Sequence, residues 1–267
     1  MTILDRIVET KRRDVADARS RIPLPRLKEA IDRTGPTRDF FRAVTGGGRG
    51  EVRLIAEIKK ASPSAGVIVP DFDPARIART YHAHGASALS VLTDEPYFQG
   101  RLSYVADVKR EVDLPVLRKD FMIDEYQVFE SRAAGADAVL LIAECLEDDD
   151  LATLFRTARQ LEMSPLVEVH TEASLSRVFN MLGSPDGAGY LLGINNRDLA
   201  AQKTDLDVMQ RLSASLSEGT RFVAESGIGS RADVLRAGAA GACAVLVGEA
   251  LLRAPDMGAK VGELCGR

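Results

Sequence analysis

The sequence predicts an α/β fold closed into one (β/α)8 barrel, a TIM barrel, and three observations carry that prediction. Short β-branched runs recur eight times along the chain. Segments of helical period lie between them. Helix-to-strand junctions of one pattern repeat. Strands alternating with helices imply parallel strands joined by crossover helices, and eight such units in about 220 residues favour a closed barrel over an open sheet. At 267 residues the chain is long enough for a single barrel domain. Residues 1–267 are therefore read as one domain, with a helical extension over 1–50 and the barrel over 51–267.

In chain order, the predicted strands are Val52–Ile58, Ala88–Leu92, Pro115–Leu117, Ala138–Ile142, Leu166–Val169, Tyr190–Ile194, Arg221–Ala224 and Ala244–Val247. Helical spacing covers Pro74–His84, Tyr104–Glu111, Glu125–Ala134, Asp149–Glu162, Ala173–Leu182, Ala232–Ala237 and, after the last strand, Met257–Leu264. The repeated junctions are Gly85-Ala86-Ser87, Gly135-Ala136-Asp137 and Gly241-Ala242-Cys243. In each, glycine ends a helix in a left-handed conformation and small residues turn the chain into the next strand. Ahead of the first strand, Ile3, Ile7, Val15 and Ala18 sit at near-helical spacing. Pro25 starts a second helix through Leu27 and Ile31, and Phe40, Phe41 and Val44 suggest a third before the flexible Gly46-Gly47-Gly48. Pattern alone leaves open whether these helices cover the substrate or pack on the barrel floor.

Composition excludes several function classes. With 45% hydrophobic and 28% charged residues, neither disorder nor a fibrous repeat is indicated. A net charge of -4 with both signs mixed leaves no basic nucleic-acid footprint. The run Lys11-Arg12-Arg13, followed by Asp14 and Asp17, reads as a solvated helix face. Three cysteines, Cys145, Cys243 and Cys265, form no CxxC pair, which argues against a disulfide framework or thiolate metal site and fits a reducing, cytoplasmic compartment. The first residues are charged from Asp5 onward and carry no signal-peptide core. Ala138–Ala143, the longest apolar stretch, is far too short to span a bilayer. His82 and His84 are read as surface or packing residues; His170, just after a strand, stands alone as a histidine that lines a mouth.

Charges inside barrel strands need an explanation, because one strand face meets the interior and the other the helices. Residues i and i+2 share a face. Glu57 and Lys59 end the first strand on one face, opposite Leu54, Ala56 and Ile58. Lys119 ends the third strand in phase with Leu117, Glu168 the fifth in phase with Leu166, and Glu225 the seventh in phase with Val223. Side chains from alternate strands fill one barrel layer, so these groups are expected to meet at the C-terminal mouth, where barrel active sites lie. Separate rim ion pairs are the bland reading; convergence from four alternate strands favours the functional one. Lysines beside carboxylates there would titrate together and keep a proton donor and acceptor available near neutral pH.

A phosphate site is suggested by Ser226-Gly227-Ile228-Gly229-Ser230 after the seventh strand and Gly248-Glu249 after the eighth. Barrels frequently bind phosphate between these two loops, on backbone N–H groups at a helix N-terminus. Ser230 and Asp233 have capping-box spacing. The first loop, Lys60 to Gly66, is long, and its Ser62 is placed to donate to the same phosphate or to belong to an ordinary connector.

These residues resemble those of the indole-3-glycerol phosphate synthase family. The resemblance runs through Ile55-Ala56-Glu57-Ile58-Lys59-Lys60-Ala61-Ser62-Pro63-Ser64, Ser90-Val91-Leu92-Thr93-Asp94-Glu95, Leu117-Arg118-Lys119-Asp120-Phe121, Leu166-Val167-Glu168-Val169-His170, Gly193-Ile194-Asn195-Asn196-Arg197-Asp198-Leu199 and Ala224-Glu225-Ser226-Gly227-Ile228. It implies ring closure, decarboxylation and dehydration of 1-(2-carboxyphenylamino)-1-deoxyribulose 5-phosphate, without metal or other cofactor. Lys119 matches the lysine that protonates the ketone oxygen, Glu168 the carboxylate of proton transfer in dehydration, and Glu57 the partner that holds and tunes the lysine. Lys59 matches a substrate-binding lysine whose part as a second acid stays open. Asn195 and Glu225 match polar substrate contacts, Arg197 the group orienting the carboxylated ring, and Phe121 an apolar wall. Ser62, Ser226 and Gly227, with the backbone at Gly248 and Glu249, match the phosphate cradle. The resemblance also implies that the N-terminal helices cap the catalytic mouth.

Two departures from the family pattern stand out: Pro96 after Glu95, where lysine is frequent, and Ala200-Ala201-Gln202-Lys203, which lacks an aromatic residue. The second bears on loop packing over the substrate. Two other readings compete: a Schiff-base aldolase barrel with Lys59 or Lys119 as nucleophile, separable by borohydride trapping, and a non-catalytic sugar-phosphate-binding barrel, which needs no acid–base pair. The expected partner is a small phosphorylated substrate, with neither nucleic acid nor membrane. The sequence carries no readable signal for docking with other tryptophan-pathway enzymes.

Overall fold

The computed structural model describes residues 2–48, 51–197, 204–205 and 207–267. Asp198 and Leu199, and the Ala200–Lys203 departure, lie outside them.

Eight parallel strands close a barrel: β1 (Arg53–Ile58), β2 (Ala88–Leu92), β3 (Val116–Lys119), β4 (Ala138–Ile142), β5 (Ser164–Val169), β6 (Leu191–Asn195), β7 (Phe222–Glu225) and β8 (Ala242–Val247), with β1 pairing β8. All eight predicted strands are present, displaced by a few residues at their ends. β3, β6 and β7 each reach further toward the C-terminal side and so include Lys119, Asn195 and Glu225 themselves. β8 starts earlier, at Ala242, which pairs with Phe222 of β7 ahead of a register shift between Ala242 and Ala244.

The strand faces sort as the period of two requires. Ile55, Leu117, Leu140, Leu166, Leu191, Val223 and Ala244 fill the barrel interior as one cluster. Leu54, Ala56 and Ile58 belong to the larger cluster that packs against the surrounding helices. The repeated junctions also hold: Gly85, Gly135 and Gly241 have φ of 106°, 90° and 98°, a region open to glycine without steric cost, and the alanine after each is buried. Each predicted barrel helix is present with ends within two residues of those expected. Asp207–Ala214, which buries Met209 and Leu212, was not among the expected helices, nor was the hairpin Ala61–Ser62 with Gly66–Val67.

The N-terminal segment divides the two roles that pattern left open. Helix α1 (Ile3–Arg21) brings Ile3, Leu4 and Ile7 to the cavity at the C-terminal mouth. Helix α2 (Leu24–Ile31) joins the flank, where Leu27 packs with Val15 and Tyr126. Helix α3 (Phe40–Thr45) closes the opposite end: Phe40 and Val44 are wholly buried in the interior cluster, and Arg221, just ahead of β7, donates to the Thr45 carbonyl at 2.9 Å. Capping of the mouth thus falls to α1, while α3 plugs the floor.

The expected solvated face at Lys11-Arg12-Arg13 is corrected by this packing. Lys11 shares the inner stripe of α1 with Ile7 and Val15 at i±4 and is only 5% exposed. Its ammonium sits 2.8 Å from Asp94 and 3.0 Å from Asp120. Arg12 and Arg13 are exposed as expected. No helix among the described residues is long and apolar enough to cross a membrane.

Candidate active site

The C-terminal ends of the strands open into a cavity of ≈ 450 Å³. Glu57, Lys59, Lys119, Phe121, Glu168, Asn195, Arg197, Glu225, Ser226, Gly227, Gly248 and Glu249 all line it. Ser62 does not: it is buried in the first loop, where its hydroxyl accepts from the Ala65 N–H at 3.2 Å, and its neighbour Pro63 reaches the cavity instead.

Barrel register brings the charges of alternate strands to one level. Lys119 Nζ lies 2.9 Å from Glu168 Oε2 and 2.5 Å from Glu225 Oε2. Lys59 Nζ donates to Glu57 Oε1 at 2.6 Å. Asn195 donates Nδ2–H to Glu168 Oε1 at 3.0 Å and accepts the Arg197 N–H on Oδ1 at 3.0 Å. Arg197 in turn donates to Ser64 Oγ at 3.1 Å, which ties the loop after β6 to the loop after β1.

Two glycines make room for these carboxylates. A Cβ on Gly193 would stand 2.5 Å from Glu225 Oε1, and one on Gly248 would stand 2.3 Å from Glu57 Oε1. Any larger residue at either position would push a carboxylate out of place. The anion loop adopts positive φ at Ser226 (63°) and Gly227 (77°). The N–H groups of Gly229 and Ser230 are committed to Asp233 at 3.1 and 2.9 Å, in a full capping box. Arg253 also lines the cavity and pairs with Glu249 at 2.8 Å.

The electrostatics separate the two central carboxyls. Burial alone would raise Glu168, but Lys119, His170 and Asn195 outweigh it and hold the group well below the usual carboxylate range. At Glu225, burial and the charge of Glu168 outweigh Lys119 and push the group up to about 8. The two carboxyls are coupled, with Glu168 the one held down and Glu225 the one pushed up. Burial would lower Lys119, yet Glu168, Glu225 and Glu57 together keep it above the ordinary lysine range. Glu57 is held low against its burial, chiefly by Lys59 and Lys119. The arrangement thus sets an ammonium donor between one carboxyl held low and one pushed up within one wall.

Several residues of the site were not legible in advance. Ile3, Leu4 and Ile7 come from α1, and Phe98, its ring tilted 41° to that of Phe121 with centroids 6.2 Å apart, extends the apolar wall. The apolar stripe of α1 was visible as helical period, but nothing in that period says which end of the barrel it faces. His170, read as standing alone, lies 3.2 Å from Glu168 and 2.9 Å from Glu144.

The indole-3-glycerol phosphate synthase family matches over residues 4–264. A protein of Albidiferax ferrireducens named indole-3-glycerol phosphate synthase is 48% identical over 263 residues, covering 98% of this chain and 97% of its own. One of the same name from Acidithiobacillus ferrooxidans is 48% identical over 257 residues, covering 96% and 95%. Among solved structures, a 3-hexulose-6-phosphate synthase from Salmonella typhimurium aligns with a TM-score of 0.62 at 15% identity, over 80% of this chain and 97% of that one. At that identity the likeness bears on the fold alone.

Proposed function

The chain belongs to the indole-3-glycerol phosphate synthase family, and from that premise we propose that Lys119 and Glu168 divide its acid–base chemistry between them. The activity is that of a carboxy-lyase of tryptophan biosynthesis acting on a phosphorylated small molecule. It converts 1-(2-carboxyphenylamino)-1-deoxyribulose 5-phosphate to indole-3-glycerol phosphate, carbon dioxide and water.

The observation that carries the proposal is the position of Lys119 Nζ, within hydrogen-bond reach of both Glu168 and Glu225 in the cavity wall. In ring closure the aromatic carbon bearing the carboxylate attacks the ketone carbon, and Lys119 gives a proton to the ketone oxygen. Loss of carbon dioxide returns the electron pair to the ring. In dehydration a lysine ammonium of the cavity gives a proton to the new hydroxyl, which leaves as water, and Glu168 takes a proton from the ring methylene carbon, so the indole double bond forms and the nitrogen keeps its hydrogen. Glu57, expected to hold and tune Lys119, acts on Lys119 through its charge and gives its hydrogen bond to Lys59, which lines the cavity and binds substrate. Arg197 faces the substrate carboxylate, a role supported by its buried Nε, which has no partner among the described residues. Phe121 packs on the aryl ring. Ser226 and Gly227, with the backbone at Gly248 and Glu249, receive the phosphate, and Ser62 braces the loop beside it.

We assign the protein to the cytoplasm, with neither nucleic acid nor membrane as a partner; the mixed charge and net -4 support this reading. The test is turnover by purified protein, followed by indole fluorescence. Lys119→Ala and Glu168→Gln should each lower kcat by about 10²–10⁴-fold, the usual worth of one positioned acid or base. Wild-type-like turnover in either folded variant would overturn its role.

A further inference from the structure

Behind Glu168, outside the cavity lining, stands a charged group that these steps leave unused. His170 follows β5 two residues after Glu168, so the two side chains project to the same side. Its ring is buried, with 8% exposure. The Glu144 carboxylate grips it twice: Oε1 accepts the His170 backbone N–H at 2.9 Å, and Oε2 lies 2.9 Å from Nδ1. Glu144 itself sits in the single turn Ala143–Cys145 after β4, the neighbouring strand. Held this way, the ring has one direction left to face, and Nε2 ends 3.2 Å from Glu168 Oε1. That approach is an ion-pair contact without hydrogen-bond alignment.

A carboxylate against each ring nitrogen asks for a proton on both. Burial alone would lower His170, but Glu144 and Glu168 push it up to about 10. The groups facing Glu168 are Lys119 from β3, Glu225 from β7, Asn195 from β6, His170, and Cys145 after β4. Burial, then the charges of Glu168 and Glu144, push the Cys145 thiol up and keep it neutral. Glu144 and Glu168 face His170. Lys59 pairs with Glu57, Lys119 with Glu168 and Glu225, and His170 with Glu144 and Glu168, while the charge of Arg197 also acts on Glu57. A neutral group at 170 would remove the cation that faces Glu144 and the Oε1 side of Glu168, which is costly where the carboxylates are buried.

We propose that His170 is a positioning residue for the reaction: clamped by Glu144, it fixes the orientation and the charge of Glu168. The inference rests on the proposed role of Glu168 in dehydration. It distinguishes Glu168 from its neighbour Glu225, since both touch Lys119 but only Glu168 meets His170.

The experiment is the pH dependence of kcat and kcat/KM for wild type, His170→Ala, His170→Gln, Glu144→Gln and Glu168→Gln. His170→Ala should raise the acid limb by about one pH unit. It should also lower kcat by about tenfold and change KM little, as expected when an interaction acts on the chemical step. His170→Gln, which keeps a donor near the Nε2 position without the charge, should recover much of kcat while the limb stays shifted. Glu144→Gln should move the limb the same way with His170 in place. If His170→Ala does not fold, the Gln variant and Glu144→Gln carry the test. An unmoved limb in these variants, with only melting temperature lowered, would overturn the proposal and leave His170 a packing residue. If Glu168→Gln is inactive and the limbs do not move, the His170 inference alone fails. If Glu168→Gln retains full turnover, the role of Glu168 falls and takes this inference with it.

Discussion

A lysine held between two buried carboxylates cannot titrate independently of them. At Lys119 the neighbouring carboxyls hold the ammonium above the ordinary lysine range, while Glu225 itself is pushed up by burial and by Glu168. The same buried groups make stability depend on pH. Glu225 titrates at about 8 in the folded chain, raised first by burial and then by Glu168, against about 4.3 when unfolded. His170 titrates at about 10, raised by Glu144 and Glu168 against its burial, compared with about 6.5 unfolded. In both windows the folded state binds more protons than the unfolded one, so unfolding free energy falls as pH rises. The melting temperature should therefore decline between pH 6.5 and 10, and Glu225→Gln should flatten the part of that decline below pH 8. Stability rising with pH across this range would contradict the charge assignment. The convergence of these charges was readable from strand phase, because Lys119, Glu168 and Glu225 each sit two residues from an interior leucine or valine. Their different surroundings were not, since Glu144, which clamps His170 beside Glu168, comes from the turn after β4, which strand phase does not connect to them.

At the scale of elements, the N-terminal helices show where periodicity stops informing. The stripe Ile7, Lys11 and Val15 was spaced to face inward, yet a lysine beside two arginines looks like a solvated surface until its partners are known. Asp94 and Asp120, far along the chain, make Lys11 a buried clamp. Asp120 directly follows Lys119, so the clamp fastens α1 to the strand that carries the central lysine. Removing one partner of a buried ion network leaves the others uncompensated. Lys11→Ala should cost about 3–5 kcal/mol in urea unfolding, while Arg12→Ala and Arg13→Ala should stay within about 0.5 kcal/mol. Equal effects from all three would mean that Lys11 is as solvated as its neighbours. Gly193 and Gly248 teach a related lesson. One lies inside a strand and one just after another, and what forbids a side chain at each is a carboxylate arriving from elsewhere in the barrel.

For the whole molecule, barrel closure does most of the work of assembling the site. Strands β1, β3, β5 and β7 are not neighbours in the sheet, yet closure turns their ends toward one cavity. Alternation and junction repeats sufficed to read that closure. Loops were less legible: the helix Asp207–Ala214 and the hairpin after β1 lie in long connections whose spacing has no fixed period. The partition of labour across the cavity is tested most directly by separating the two chemical steps, with carbon dioxide release timed against indole formation in a single turnover. Lys119→Ala should release no carbon dioxide, because ring closure precedes decarboxylation. Glu168→Gln should release about one equivalent per site while indole fails to appear, as expected when loss of a base stops only the later proton transfer. Release of carbon dioxide by Lys119→Ala at the wild-type rate, or its absence in Glu168→Gln, would contradict that division.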